Sequence, residues 1–196
     1  MADPSQAKHP VSVLAGPYGH PFHPLLVTVP VGAWFASLVF DLASHRVPDP
    51  GFLARGSLWL IAIGVAGAFA AAFAGFLDLA AIPAGTRARR TALVHMSLNV
   101  AVTATYLADC LLRRAGYRHP GPVPPALIVL SAVSFAVLAC SGYLGGKLAY
   151  RYGVRVASEA TQAAGFRPGG RRPEPAAATR QPPVNPPGRS VRGPGG

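Results

Sequence analysis

Four long apolar runs, separated by short polar and proline-bearing stretches, set the pattern of the chain. They cover about 25–43, 57–79, 91–112 and 126–144. Each is close to the ~20 residues an α-helix needs to cross the hydrocarbon of a bilayer. The pattern predicts an all-α integral membrane protein, a four-helix bundle.

Within the runs the small and polar positions are not scattered. The first run follows directly on Gly19-His20-Pro21-Phe22-His23-Pro24. Pro24 suits a first helical turn, where its missing N–H is harmless. Pro30 lies inside the run and deprives the Leu26 carbonyl of its partner, which predicts a kink. In the second run Trp59 reads as an interfacial anchor. Gly67, Ala71 and Gly75 recur at i, i+4 and i+8, a row that lets helix backbones approach closely. Asp78 continues that row and is expected to face the protein rather than lipid.

The third run carries His95, Asn99, Thr103, Tyr106 and Cys110 on one face, with Asp109 beside the last. A polar stripe on an apolar helix normally turns toward the bundle, so this helix is expected at its centre. In the fourth run Ser131, Ser134, Leu138, Ser141 and Gly145 form another packing face. Gly145-Gly146 is expected to end that helix in a left-handed conformation. The stretch 147–156 mixes tyrosines with Lys147, Arg151 and Arg155, an interfacial composition.

The chain therefore divides into a polar segment 1–18, a membrane domain 19–156, and a C-terminal part 157–196. The first segment lacks a hydrophobic core, so no cleavable signal is read and the first span serves as the insertion signal. From Arg167 onward Pro, Gly and Arg predominate, which predicts a disordered basic tail.

Composition agrees with a membrane location: 51% of residues are hydrophobic and 13% charged, against about a quarter charged in soluble domains. Net charge is +11, much of it in the tail. Beside a bilayer that charge points to anionic lipid headgroups, at roughly 1 kcal/mol per basic residue near the surface. No nucleic-acid motif accompanies the arginines, so a nucleic-acid partner is not expected. Cys110 and Cys140 fall at depths roughly 20 Å apart on oppositely directed helices, too far for a disulfide. With no Cys-x-x-Cys motif they read as small packing residues.

Four spans put both termini on one side. That side carries Lys8, Arg87, Arg89, Arg90, Lys147, Arg151 and Arg155 near the spans; the other carries Arg46, Arg55, Arg113, Arg114 and Arg118. The bias, strengthened by the tail, orients both termini to the cytoplasm of a multi-pass inner-membrane protein.

This topology brings His20, His23, Asp78 and His95 to the cytoplasmic rim, and Asp41, Asp109, His45 and His119 to the opposite one. Intramembrane ionisable residues mark functional candidates. His23 and His95, on different helices, have the chemistry of axial haem b ligands, with His20 and Asp78 in support and arginines available for propionates. A metal site built from His20, His23, His95 and Asp78 is an alternative. A third reading is structural: His23 caps its helix, and Asp78 pairs with His95 or Arg90 to fix packing register. The row from His95 to Asp109 also admits a proton path, though four helices without an inverted repeat do not favour a transporter. There is no Gly-x-Ser-x-Gly, serine-triad context or phosphate-binding glycine loop, so an enzyme is not the favoured class.

The segment 19–27 with Pro30-x-Gly32, then Gly75-x-x-Asp78, His95-x-x-x-Asn99 and finally Gly145-Gly146-Lys147-Leu148-Ala149-Tyr150-x-x-Gly153-Val154-x-Val156, resembles one family. It is an uncharacterised family of bacterial four-span inner-membrane proteins, of the domain of unknown function 2231 type. Ala149 stands where the family often has valine. The resemblance covers about 19–156 and implies membrane location and topology rather than an activity. A membrane redox partner or a second copy of the chain is the partner class that such a protein would take.

Overall fold

The structure, a computed structural model, describes residues 3–118 and 121–166. His119 and the tail from Arg167 onward lie outside the described residues. The described residues are helical with no strand among them. The first span is two helices, α1 (Phe22–Leu26) and α2 (Thr28–Ala43), followed by α3 (Gly51–Ala80), α4 (Arg87–Arg114) and α5 (Pro125–Gly146). All four spans are long and apolar enough to cross a membrane.

The α1–α2 break falls at Val27, one residue after the carbonyl that Pro30 leaves without its N–H. Val27 N–H donates to His23 O at 3.1 Å, and Thr28 Oγ1 donates to Leu25 O at 2.7 Å, so the junction is locally satisfied. The helix is interrupted where the kink is expected, with Val27 in the right-handed region (φ −66°, ψ −17°). The helices otherwise run further than their apolar cores: α3 begins at Gly51 and α4 at Arg87, after the Thr86 side chain caps Arg89 N–H. Helix ends outside the hydrocarbon need not be apolar, so hydropathy alone places them late.

Neighbouring spans pack in sequence, and α2 closes the bundle against α5. The α3 glycines are where α1 and α2 approach. A Cβ at Gly64 would strike the Trp34 ring, at Gly67 Val29 and Pro30, and at Gly75 the His23 ring. This is the close approach that the small-residue row predicts. At the bundle centre Trp34 stacks on Tyr106 with centroids 4.1 Å apart and planes within 10°. Ile61, Val65 and Val102 complete that core, while Phe35, Phe69, Phe73 and Phe76 point outward.

α5 ends at Gly146 as the glycine pair predicts, but not in a left-handed conformation. Gly146 is right-handed helical (φ −58°, ψ −41°), and the chain continues through a π-helical turn, Lys147–Arg151. The positive φ values come later, at Gly153 (68°) and Arg155 (61°). Nor does Cys140 pack inside: it is exposed, whereas Cys110 is half-buried.

A second small core lies over the terminal face. Ala7, Leu79, Ile82, Ala92, Leu148 and Val154 meet there, joining the short 3-10 turn Pro4–Lys8 to the bundle, while a second 3-10 turn, Val13–Ala15, lies against α3 and α1. Met1–Ser158 forms one compact unit. In the second, Glu159–Gly196, the described structure is the short helix α6 (Glu159–Ala164).

Candidate functional site

At the terminal end the two candidate histidines lie close together. His23 is the second residue of α1, and its Nδ1 lies 2.8 Å from Ala71 O on α3. His95, two turns into α4, places Nδ1 2.8 Å from Ser141 O on α5. A carbonyl only accepts, so each Nδ1 carries the proton and each Nε2 is the nitrogen left to accept or ligate. The rings stand 6.1 Å apart between centroids at 87°. Each backs onto a glycine: a Cβ at Gly75 would lie 2.9 Å from His23 Nδ1, and one at Gly145 would lie 3.1 Å from His95 Cε1. Asn99 Nδ2 donates to His95 O at 2.8 Å and Ser141 Oγ at 2.7 Å, and lies 3.3 Å from His95 Nε2.

The other two candidates are placed differently. His20 is exposed, its Nδ1 3.4 Å from Tyr18 O. Asp78 pairs with neither His95 nor Arg90. Its Oδ1 lies 2.8 Å from Arg155 Nε, and both side chains are buried. A carboxylate this far from water needs a cation, and the left-handed turn at Arg155 supplies one. His23 does not cap its helix either, because Pro21 occupies that position and His23 reaches across to α3. Among the described residues no group of three or more His, Cys, Asp or Glu is gathered for a metal, so the four-residue metal set is not assembled.

At the opposite end the sequence placed Asp41 and Asp109 together, and the structure joins them through Arg113. Its Nη1 and Nη2 donate to Asp41 Oδ1 and Oδ2 at 2.6 and 2.8 Å. Its Nε and Nη2 donate to Asp109 Oδ1 and Oδ2 at 2.9 and 3.0 Å. Ser57 Oγ donates to Asp41, and Ser131 Oγ donates to Asp109 at 3.0 Å. Asp41, Asp109 and Ser57 have no exposed surface. One guanidinium thus ties all four spans together. His45 is separate, with Nε2 2.8 Å from Val123 O.

Arg113 and Arg155 are the residues that sequence reasoning misplaced, since both read as interfacial charges. Asp109-x-x-x-Arg113, one turn apart on the polar stripe, was the available signal for the first. Arg155 had none. Each belongs to a different side in the positive-charge count, so the direction of the bias survives their burial.

Four helices able to cross a bilayer, with Asp41, Asp78 and Asp109 each paired inside the bundle, define a polytopic membrane protein. The chain belongs to the family described as "Predicted membrane protein (DUF2231)", which matches residues 19–158. No curated protein and no solved structure matches it.

Proposed function

We propose that the protein is an inner-membrane haem b-binding protein, in which His23 and His95 would hold the iron. One observation carries the reading. Two imidazoles from different spans each spend Nδ1 on a backbone carbonyl and lie with centroids 6.1 Å apart. With Nδ1 committed to a carbonyl, Nε2 is on each ring the atom that would hold the iron. Carbonyl-anchored Nδ1 is the arrangement that orients a ligating histidine. The donor set also fits, because every span carboxylate is already engaged by an arginine and none competes for the site. Bound haem would supply one-electron chemistry, making a membrane redox protein its natural partner. The positive-charge bias supports cytoplasmic termini, with the basic tail on anionic headgroups.

The test is the visible spectrum of the detergent-purified protein, before and after dithionite, following expression with excess haem. A Soret band that is lost or shifted in His95→Ala and His23→Ala, and unchanged in His45→Ala, is the expected result. A folded protein without any Soret band refutes the proposal.

The second reading is a non-enzymatic structural or interaction protein whose polar residues specify packing. The Arg113 network favours it, because that network joins all four spans without leaving a donor for a ligand. It predicts a colourless protein in which the histidine variants lose stability alone.

A further inference from the structure

We infer that residues 3–16 form a strap closing the terminal mouth of the bundle over the His23–His95 pair, and that Arg155 is its latch. The inference does not depend on what the imidazoles bind. The strap lies outside the residues matched by the family.

The segment contains two 3-10 turns of five and three residues, too short to hold themselves in place. Its larger apolar side chains do not anchor it either. Val11, Val13 and Leu14 are 52%, 85% and 58% exposed, and the buried residues among the described ones are the small Ala7, Ala15 and Gly16. Ala7 packs into the small core and the turn Val13–Ala15 lies against α3 and α1, and Arg155, about 140 residues away in sequence, ties the two turns together. The Arg155 N–H donates to Ala7 O at 2.9 Å. Its Nη2 donates to Ala15 O and Gly16 O at 2.9 and 2.8 Å. Its Nε lies 2.8 Å from Asp78 Oδ1 on α3.

One residue therefore holds both turns of the strap to a bundle carboxylate. Its φ of 61° is the left-handed conformation that non-glycine residues adopt only under strain. That conformation lets the backbone and the side chain of one residue serve the same segment. A second contact, from Ser158 N–H to Tyr18 Oη at 2.8 Å, closes the seam behind it.

The strap ends against the segment that carries His23. A Cβ at Gly16 would collide with His20 O and Phe22 N, so the strap's end rests on the first turn of α1, where His23 is. Asp78 is three residues, about 4.5 Å of helix, beyond Gly75, and Gly75 is the position against which the His23 ring packs. The latch is thus one turn outside the imidazole pair. Freeing it exposes the end of α1 and the path to His23.

The test is site-resolved modification by diethyl pyrocarbonate of the full chain in detergent, read by peptide mass mapping. Wild type is compared with Arg155→Ala and with a variant lacking residues 3–16. Opening a closed segment is expected to raise the modification rates of His23 and His95 by roughly tenfold or more, to similar levels in both variants. His45, at the opposite end, should keep its rate. Unchanged His23 and His95 rates after removal of the strap would overturn the inference, as would rates in wild type already equal to that of exposed His20. Arg155→Ala leaves Asp78 buried without its cation. If that variant fails to fold, the strap deletion decides the question alone, because it retains the Asp78–Arg155 pair.

Discussion

Replacing Arg113 by alanine is the perturbation that the structure weighs most heavily. The guanidinium makes two contacts to Asp41 at 2.6 and 2.8 Å, two to Asp109 at 2.9 and 3.0 Å, and two to Ser57 and Ser131 at 3.1 and 3.3 Å. Its side chain is 6% exposed, and the two carboxylates are sealed beneath it. Alanine leaves two like charges buried side by side. One must take up a proton, or both must draw water into the bundle. Breaking a buried pair from one side costs about 3–5 kcal/mol. At about 2–4 °C per kcal/mol for a chain of this size, the melting temperature in detergent should fall by roughly 6–20 °C. Arg113→Lys should recover only part of the loss, because an ammonium cannot bind two carboxylates through a planar fork.

Two comparisons isolate the cause. Arg114→Ala, one residue on and exposed, should lie within about 0.5 kcal/mol of wild type. The triple variant Asp41→Asn, Arg113→Met, Asp109→Asn removes the charges together. It should be far more stable than Arg113→Ala alone, since loss of an entire buried network is often near neutral. An Arg113→Ala protein melting within a degree or two of wild type would refute the reasoning. So would a triple variant as unstable as the single one, which would mean that packing rather than unpaired charge sets the cost.

Two further outcomes test the bundle. Gly75→Val and Gly145→Val press on the His23 and His95 rings at starting separations of 2.9 and 3.1 Å. Thermal unfolding should show losses of about 1–3 kcal/mol for each, while Gly32→Ala and Gly142→Ala, with nothing within 4 Å, should be close to neutral. For orientation, a Ser190→Cys variant made in a background without Cys110 and Cys140 should resist an impermeant maleimide applied from the periplasmic side. Efficient labelling there would reverse the positive-inside assignment.

The fold was legible because span length and small-residue spacing are local properties. Gly64, Gly67 and Gly75 needed only the helical period to be placed on one face. What the period could not give was depth and partner. Arg113 and Arg155 look like any interfacial arginine in a string of letters, because their burial is created by other segments: α2 and its Asp41 for one, the strap and Asp78 for the other. Gly145 was half-read for a related reason. The glycine pair does mark the end of α5, yet Gly145 is also a notch whose need arises only when His95 arrives from α4.

The same distinction bears on the site. Sequence grouped Asp78 with the histidines because all three reach one face. The fold separated them by charge, giving each span carboxylate to an arginine and leaving the imidazoles to backbone carbonyls. No carboxylate remains to hold an imidazolium between α1 and α4, and the neutral imidazole is the form that ligates a metal. The aspartate–arginine pairs therefore do more than fix register at the two ends of the bundle. By occupying every acid in the spans they decide what His23 and His95 are free to be. For that reason the Asp78–Arg155 pair belongs in any experiment on the histidine site.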